Sequence, residues 1–506
     1  MPFSPRLWRL STPPNKSRGS PCAWRAPASA ATIRSMPSFL HHDDTDDRVW
    51  STERSAVTVM LSHRAARRVE ELRVYMLAAK GELFCAGVYK LVLDSLPWET
   101  IRVLELTLCK GLHLPVSAAA VVLPRLSSLR QAHCAQGLHD IQAIINAAPA
   151  LATLRLECLV LEPREDAPPE CHKAWDWGDD APPASGKEAV PHRLQCPMAT
   201  VLVLERWTWE SYNDGKPSVL NAVEIDAPRL RRFKYKGLLR QFSFSPRPQD
   251  LERVDLHFFP DYDTNRRKDP CRDLQTFWQF VRSFTSTKEM KLRLKNVEDM
   301  AVLSEARRVE LLPSFCWLER LEVQGVHRLK GKTAAVAITN LLRSCPILRD
   351  FRINITAVHH KASKGYDYAH EFLERKYTSD RDKSIDRLNQ CSHSELSTIF
   401  PQGYEDGVNY DEVSEIPGLS GRSFQCLQSS LRKVGLRFRL EGSNCLGVKL
   451  VKFFAENAMV LEEMHIDSGN RKLREHMNRK VETWMANSAN RRKSGAPSFV
   501  VLPLEG

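Results

Sequence analysis

Apolar residues recur along this chain in one phrase, apolar-x-x-apolar-x-apolar. The first copies are Val69, Leu72 and Val74, then Ile101, Leu104 and Leu106 with Cys109 after them, then Leu126 and Leu129 with Gln131 in the third slot and Cys134 beyond. Leu151, Leu154 and Leu156 follow, then Met198, Val201 and Val203, Leu230, Phe233 and Tyr235, and Leu251, Val254 and Leu256. Thr287 leads a weaker copy with Met290 and Leu292. The pattern resumes at Leu318, Leu321 and Val323, at Leu348, Phe351 and Ile353, at Leu431, Val434 and Leu436, and at Leu461, Met464 and Ile466. The last two slots lie two residues apart and therefore on one side of an extended chain, so each copy predicts one half-buried strand.

Between the copies lie return segments. DIQAIINAAPAL before Leu154, KTAAVAITNLLRSCPIL before Phe351 and CLGVKLVKFFAENAMVL before Met464 have helical spacing. Pro149 and Pro346 stand where a helix must stop, because proline cannot donate to the helix ladder. A unit of this size cannot bury its apolar face alone, and stacking copies builds one continuous core under a parallel strand ladder. The spacing resembles that of leucine-rich repeats. The expected fold is therefore α/β, a leucine-rich-repeat solenoid of parallel strands with helical or irregular returns, behind a disordered N-terminus.

Three stretches break the rhythm. Residues 163–192 are rich in proline and acid and predict a mobile loop; residues 260–273 predict a shorter one; residues 357–425 form a polar insertion with little to bury. The expected organisation is a disordered segment at 1–55, the repeat array at 56–356 with its loop at 163–192, the insertion or linker at 357–425, and a C-terminal repeat block at 426–506.

Charge changes this picture once it is located. The chain of 506 residues carries a formal +12. Residues 1–42 hold six Lys or Arg and no acid, and the tail from Arg471 to Lys493 holds eight against Glu475 and Glu482, so the two ends account for the excess. The near-neutral repeat body argues against a phosphate-tracking nucleic-acid surface, and NRRK in the tail reads as solvated charge. No apolar run reaches the length of a membrane-spanning helix. Thirteen scattered cysteines with no C-x-x-C pair argue against a zinc site or a disulfide framework and read as buried small hydrophobes in a reducing compartment. The expected location is the cytoplasm or nucleus. The Arg- and Ser-rich first 40 residues give organelle import as the alternative, although their prolines spoil the amphipathic helix of a mitochondrial signal.

Catalytic constellations are missing from the sequence. It has no Gly-rich phosphate loop, no G-x-S-x-G and no H-E-x-x-H, and no carboxylate pair is marked as acid and base. His41, His42, Asp43, Asp44, Asp46 and Asp47, like His359 and His360, read as solvated polar runs. No enzyme activity, cofactor or metal is expected. The candidate working surface is the strand face between the apolar slots. There Arg232, Lys234 and Lys236, then Arg253, Asp255 and His257, then Lys291 and Arg293, then Arg320, Glu322 and Gln324 follow in order. Within this strip Arg232, Lys234, Lys236, Arg253, His257, Lys291, Arg293 and Arg320 are expected to dock an acidic or phosphorylated segment of a protein partner. The competing reading is a solvated face that keeps an exposed sheet soluble.

The C-terminal block also carries a resemblance. Cys426, Leu427, Leu431, Lys433 and Val434, then Leu450, Lys452, Phe453, Phe454, Asn457, Ala458, Val460, Leu461, Glu462, Met464 and Ile466 resemble the FBD domain at the end of many plant F-box proteins, and SGAPSFVVLP resembles its closing strand. NAVEIDAPRLRRFKYKGLL is similar to strands of the same plant F-box and leucine-rich-repeat proteins. The resemblance implies a substrate-recognition subunit of a Skp–cullin–F-box ubiquitin ligase, in which an F-box grips the Skp linker and the repeats present a target. Residues 1–50 lack the L-P-x-x-L-L-x-x-I-L run of an F-box, so that element is expected to be degenerate or missing in 1–55. Leu96, Pro97, Trp98 and Glu99 look superficially like an F-box start, but they lead into the strand predicted from Ile101. The alternative is a stand-alone repeat module, or a decoy, that holds a partner without recruiting a ligase.

Overall fold

In a computed structural model the protein is α/β and built on parallel strand ladders. The structure describes residues 29–35, 69–76, 91–92, 98–109, 112–113, 123–162, 192–209, 223–239, 242–259, 270–328, 332–358, 416, 419, 423–438, 445–466, 480–486 and 500–503. The loop read at 163–192 and the insertion read at 357–425 lie almost wholly outside the described residues. The chain divides into two compact units, residues 1–234 with 242–249, and residues 235–241 with 250–506.

The first unit contains β1 (Ser29–Ser35), β2 (Val69–Met76), β3 (Leu91–Val92), β4 (Val103–Thr107), β5 (Leu112–His113), β6 (Ser128–Ala132) and β7 (Ala135–Gly137). Helix α1 (Leu138–Ala147) follows, then β8 (Thr153–Glu157), β9 (Val160–Glu162), β10 (His192–Gln195), β11 (Val201–Glu205), β12 (Thr208–Trp209) and β13 (Val223–Asp226). The division falls within β14 (Arg232–Leu238), and β15 (Phe242–Phe244) belongs to the first unit. Its main ladder runs β1-β2-β4-β6-β8-β11, all parallel. β1 occupies residues 29–35 of the segment 1–55 that was expected to be disordered. Those residues, SAATIRS, sit in a proline-free window between Pro27 and Pro37 and include the β-branched Thr32 and Ile33. The remainder of 1–55 lies outside the described residues.

In the second unit β16 (Arg253–Phe259) is followed by α2 (Pro270–Arg282), β17 (Glu289–Asn296), α3 (Glu305–Leu311), β18 (Arg320–Arg328), α4 (Lys332–Ser344) and β19 (Asp350–Val358). Then come α5 (Gln425–Ser429), β20 (Lys433–Phe438), α6 (Leu446–Asn457), β21 (Glu463–Ile466) and β22 (Val500–Pro503). The ladder β16-β17-β18-β19-β20-β21-β22 is again parallel throughout. The loop read at 260–273 ends earlier than expected, because α2 begins at Pro270. Proline suits the first turn of a helix, where its missing N–H has no partner to lose. Phe277, Trp278, Phe280, Val281 and Phe284 then bury one side of this segment, and Trp278 Nε1 donates to the Met300 carbonyl at 3.2 Å.

Most of the ladder strands that carry the phrase bury its last two residues, register after register. Leu72 pairs with Leu104, Leu104 with Leu129 and Leu129 with Leu154, while Leu321 pairs with Phe351, Phe351 with Val434 and Val434 with Met464; all are buried. The strand entries are clamped by one repeated device. The carbonyl of Arg102 accepts from the amides of both Ser127 and Ser128, Ala152 does the same for Thr200 and Val201, Glu319 for Arg349 and Asp350, and Arg432 for Glu462 and Glu463. In the first unit the residues after β4, β6, β8 and β11, namely Leu108, His133, Cys158 and Arg206, turn the chain at a positive φ of 60, 54, 54 and 52°. That left-handed conformation is disfavoured for residues with a Cβ.

One register differs from expectation. The phrase Met198, Val201, Val203 is displaced by one residue, because Leu202 and Leu204 pair with Leu154 and Leu156 and are fully buried while Met198 is 39% exposed. In the run VLVL every position is apolar, so alternation cannot choose the face, and the neighbouring strand chooses it. Gln131 shows how a polar side chain fills a core slot. It is fully buried and exchanges two hydrogen bonds with Gln136, at 3.3 and 3.0 Å. The returns also include strands the phrase does not announce: β10, β13 and β15 form a second small parallel sheet that buries Leu194, Ile225 and Phe244.

Candidate functional site

Because successive side chains on a strand alternate in direction, residues between the buried slots share the opposite face. Register across the second unit arranges them in three rows. The first reads Arg253, Glu289, Arg320, Asp350, Lys433, Glu463. The second reads Asp255, Lys291, Glu322, Arg352, Gly435, His465, and the third reads His257, Arg293, Gln324, Asn354, Arg437.

The first row alternates in sign from strand to strand, and its members bond along it. Arg320 reaches Glu289 at 2.9 Å and Asp350 at 3.1 Å, and Lys433 reaches Glu463 at 2.9 Å. The Lys433 ammonium beside Glu463 holds that carboxyl below its usual range. In the second row Lys291 lies 2.5 Å from Glu322. Arg352 crosses between rows, donating from Nε to Asp350 Oδ1 at 3.2 Å and from Nη2 to Oδ2 at 3.1 Å, and this carboxylate pushes the guanidinium pKa up. Gly435 makes room for Arg352: a Cβ there would lie 3.2 Å from Arg352 Cγ. Asp350 is thus a buried hub between two half-exposed arginines.

The structure therefore places the eight basic residues predicted from sequence as follows. Arg253 and Arg320 lie in the first row, Lys291 in the second, and His257 and Arg293 in the third. Arg232 and Lys234 lie in the first unit, where Lys234 is 2.5 Å from Glu205. Lys236 lies beyond the division of β14. Glu289, Asp350, Arg352, Asn354, Lys433, Arg437 and Glu463 were missed by a strip that ended at Gln324. For Glu289, Asp350, Lys433 and Glu463 the signal was present in the sequence, since the residue before the second apolar slot reads Arg253, Glu289, Arg320, Asp350, Lys433, Glu463 in successive copies.

The corresponding face of the first unit is also self-compensating. Arg130 grips Glu157 with Nε at 3.2 Å and Nη2 at 2.7 Å, and Tyr75 donates to Glu105 at 3.1 Å. Among the described residues no group of three or more His, Cys, Asp or Glu is placed to hold a metal ion, and no helix is long and apolar enough to cross a membrane. Burial pushes the thiols of Cys196 and Cys426 up to about 12, which keeps both protonated.

The C-terminal block extends the second ladder directly. β20 pairs with β19 and β21 with β20, while α6 packs Leu450, Phe453 and Phe454 inward. Phe454 meets Phe351 edge-on at 5.8 Å, and Phe424 meets Phe453 at 6.2 Å. A comparison with curated proteins finds no match to the chain. The family model described as FBD matches residues 422–466, the segment that contains α5, β20, α6 and β21, so the C-terminal block contains an FBD domain.

Proposed function

We propose that this chain is a non-catalytic, protein-binding leucine-rich-repeat protein that serves as a substrate-recognition subunit of a Skp–cullin–F-box ubiquitin ligase, in the cytoplasm or nucleus of a plant. The observation that carries this reading is the FBD domain at residues 422–466, a domain found in F-box proteins. The parallel ladders support it, since stacked strands expose a broad face of the kind repeat proteins use to hold partners. Here the target is a protein and the linker is the Skp subunit.

Co-expression of the full chain with a Skp linker tests the proposal. Co-purification of the two is the expected result. A folded chain that captures a protein partner yet never retains the linker replaces the ligase reading with that of a stand-alone binding module.

A further inference from the structure

On the outer rows of the first unit's ladder, the described carboxylates each have a cation beside them. Glu71 lies 3.6 Å from Arg73, and Glu105 lies between Arg73 and Arg130 at 3.7 and 4.0 Å. Arg130 holds Glu157 at 2.7 Å, and Lys234 holds Glu205 at 2.5 Å. Two cations of the same face are left over. Arg155 on β8 and Arg232 on β14 are exposed, and neither makes a hydrogen bond or an ion pair among the described residues.

Strand register sets these two arginines around an apolar floor. Arg155 pairs with Val203, and Thr153 pairs with Val201. The carbonyl of Thr200 accepts from the amides of both Arg231 and Arg232, at 2.9 and 3.0 Å. The same forked entry, made by the carbonyl of Ala152, sets Val201 beside Thr153, so Arg232 enters β14 beside Val201. Val201 is half-buried and Val203 is 8% exposed. Both valines face outward because VLVL of β11 is apolar on its two sides. Arg155 and Arg232 thus stand two strands and two residues apart, a diagonal of about 12 Å with the valines between.

An extended peptide turns residues i, i+2 and i+4 to one side and spans about 13 Å from the first to the last. Guanidinium groups match carboxylates through paired N–H donors. The methyl groups between the two arginines suit an aliphatic side chain and give a phosphate no hydrogen bond. We infer that this diagonal docks an extended segment of a protein partner with the alternation acidic-x-apolar-x-acidic, its carboxylates on Arg155 and Arg232 and its apolar side chain on Val201 and Val203. The inference rests on the protein-binding reading and specifies the partner's chemistry. An incoming carboxylate at either arginine breaks no existing ion pair.

Fluorescence anisotropy of labelled peptides against the full chain tests this. One peptide carries Asp-Ser-Leu-Ser-Asp, a second has the same residues reordered as Asp-Asp-Leu-Ser-Ser, a third replaces Leu by Ser, and a fourth replaces both Asp residues by phosphoserine. The first should bind at least about tenfold more tightly than the others, and Arg155→Glu or Arg232→Glu should each weaken it by about tenfold or more. Arg155→Lys, which keeps the charge and loses the fork, should weaken it less, and circular dichroism checks that each chain is folded. No binding of the first peptide, equal binding of the reordered one, indifference to both reversals, preference for phosphoserine, or stronger competition by a single-stranded oligonucleotide overturns the inference. Co-purification with the Skp linker should be unchanged in both reversals. If the unaltered chain retains the linker but shows no preference for the first peptide, this inference alone falls; if it prefers that peptide but never retains the linker, the ligase reading alone falls.

Discussion

Asp350→Asn removes the charge at the hub of the outer face while keeping its shape. The side chain is 9% exposed and accepts from Arg320 Nε at 3.1 Å and from Arg352 Nε and Nη2 at 3.2 and 3.1 Å. Hydrogen bonds to a charged group contribute about 1.5–3 kcal/mol when well buried. Here the two arginines are 51% and 48% exposed, so solvent screening brings each pair nearer the upper surface value of about 1 kcal/mol. The two pairs together give an expected loss of about 2 kcal/mol. Urea unfolding of the full chain, followed by circular dichroism in the transition that includes the second unit, reads this loss at low salt. At 1 M NaCl, where the Debye length is about 3 Å, the loss should shrink. A cycle with Arg320→Gln should show coupling, because the two residues share one interaction. A loss below about 0.5 kcal/mol, the same loss at both salt concentrations, or simple additivity with Arg320→Gln would refute the reasoning.

Other outcomes follow from the core and the turns. Gln131→Leu should cost about 1–3 kcal/mol because it leaves Gln136 buried without its partner, whereas Gln131→Leu with Gln136→Leu should recover most of that loss in thermal melts. The shifted register predicts that Met198→Glu is tolerated and Leu202→Glu yields insoluble or unfolded chain, read by soluble expression and circular dichroism. Phe351→Ala should cost about 3–5 kcal/mol, since it empties a fully buried slot against Phe454. Burial lowers the pKa values of His133 and His192 below 6.5, so the folded chain binds fewer protons than the unfolded one. Their contribution is therefore complete above pH 6.5 and lost as pH falls below it, and His133→Gln should flatten that part of the stability profile.

The ladder was legible because one face of each strand is buried and the other is not, which leaves a two-residue alternation in the sequence. It failed at Val201–Leu204, where both faces are apolar and only the neighbouring strand fixes the register. Helices α1, α4 and α6 could be read from their apolar spacing and from Pro149 and Pro346, and α2 was hidden behind the charged run NRRKDPCRD. The short strands β10 and β15 escaped because three or four residues carry too little alternation to separate a strand from a loop, and β13 was read only through the resemblance of NAVEIDAPRL to known strands. On the outer face, individual cations could be read from sequence, but their partners could not. Arg320 meets Asp350 across 30 positions of chain, and that meeting depends on the register of β18 on β19.

The reversal of sign between successive copies has a structural consequence. Opposite charges in register attract along the ladder, and like charges result if a strand pairs out of turn. Each contact is a half-exposed pair of modest strength, so the alternation specifies strand order more than it adds stability. Gly435 continues this logic by giving Arg352 a place to lie flat beside Asp350. Substitution by a larger side chain there should release Arg352 from Asp350 and make the face more basic.

The reading proposed above has the outer strand face hold the protein target. Quantitative affinity capture with three full-length baits tests it most directly: the unaltered chain, the chain with Arg155→Glu and Arg232→Glu, and the chain with the exposed apolar residues Leu303, Val309 and Trp317 changed to Ser. The account predicts that a partner retained by the unaltered bait, and shown to bind it directly when purified, is lost from the charge-reversed bait and kept by the Ser-substituted one. Retention on the charge-reversed bait, with loss from the Ser-substituted one, would contradict it.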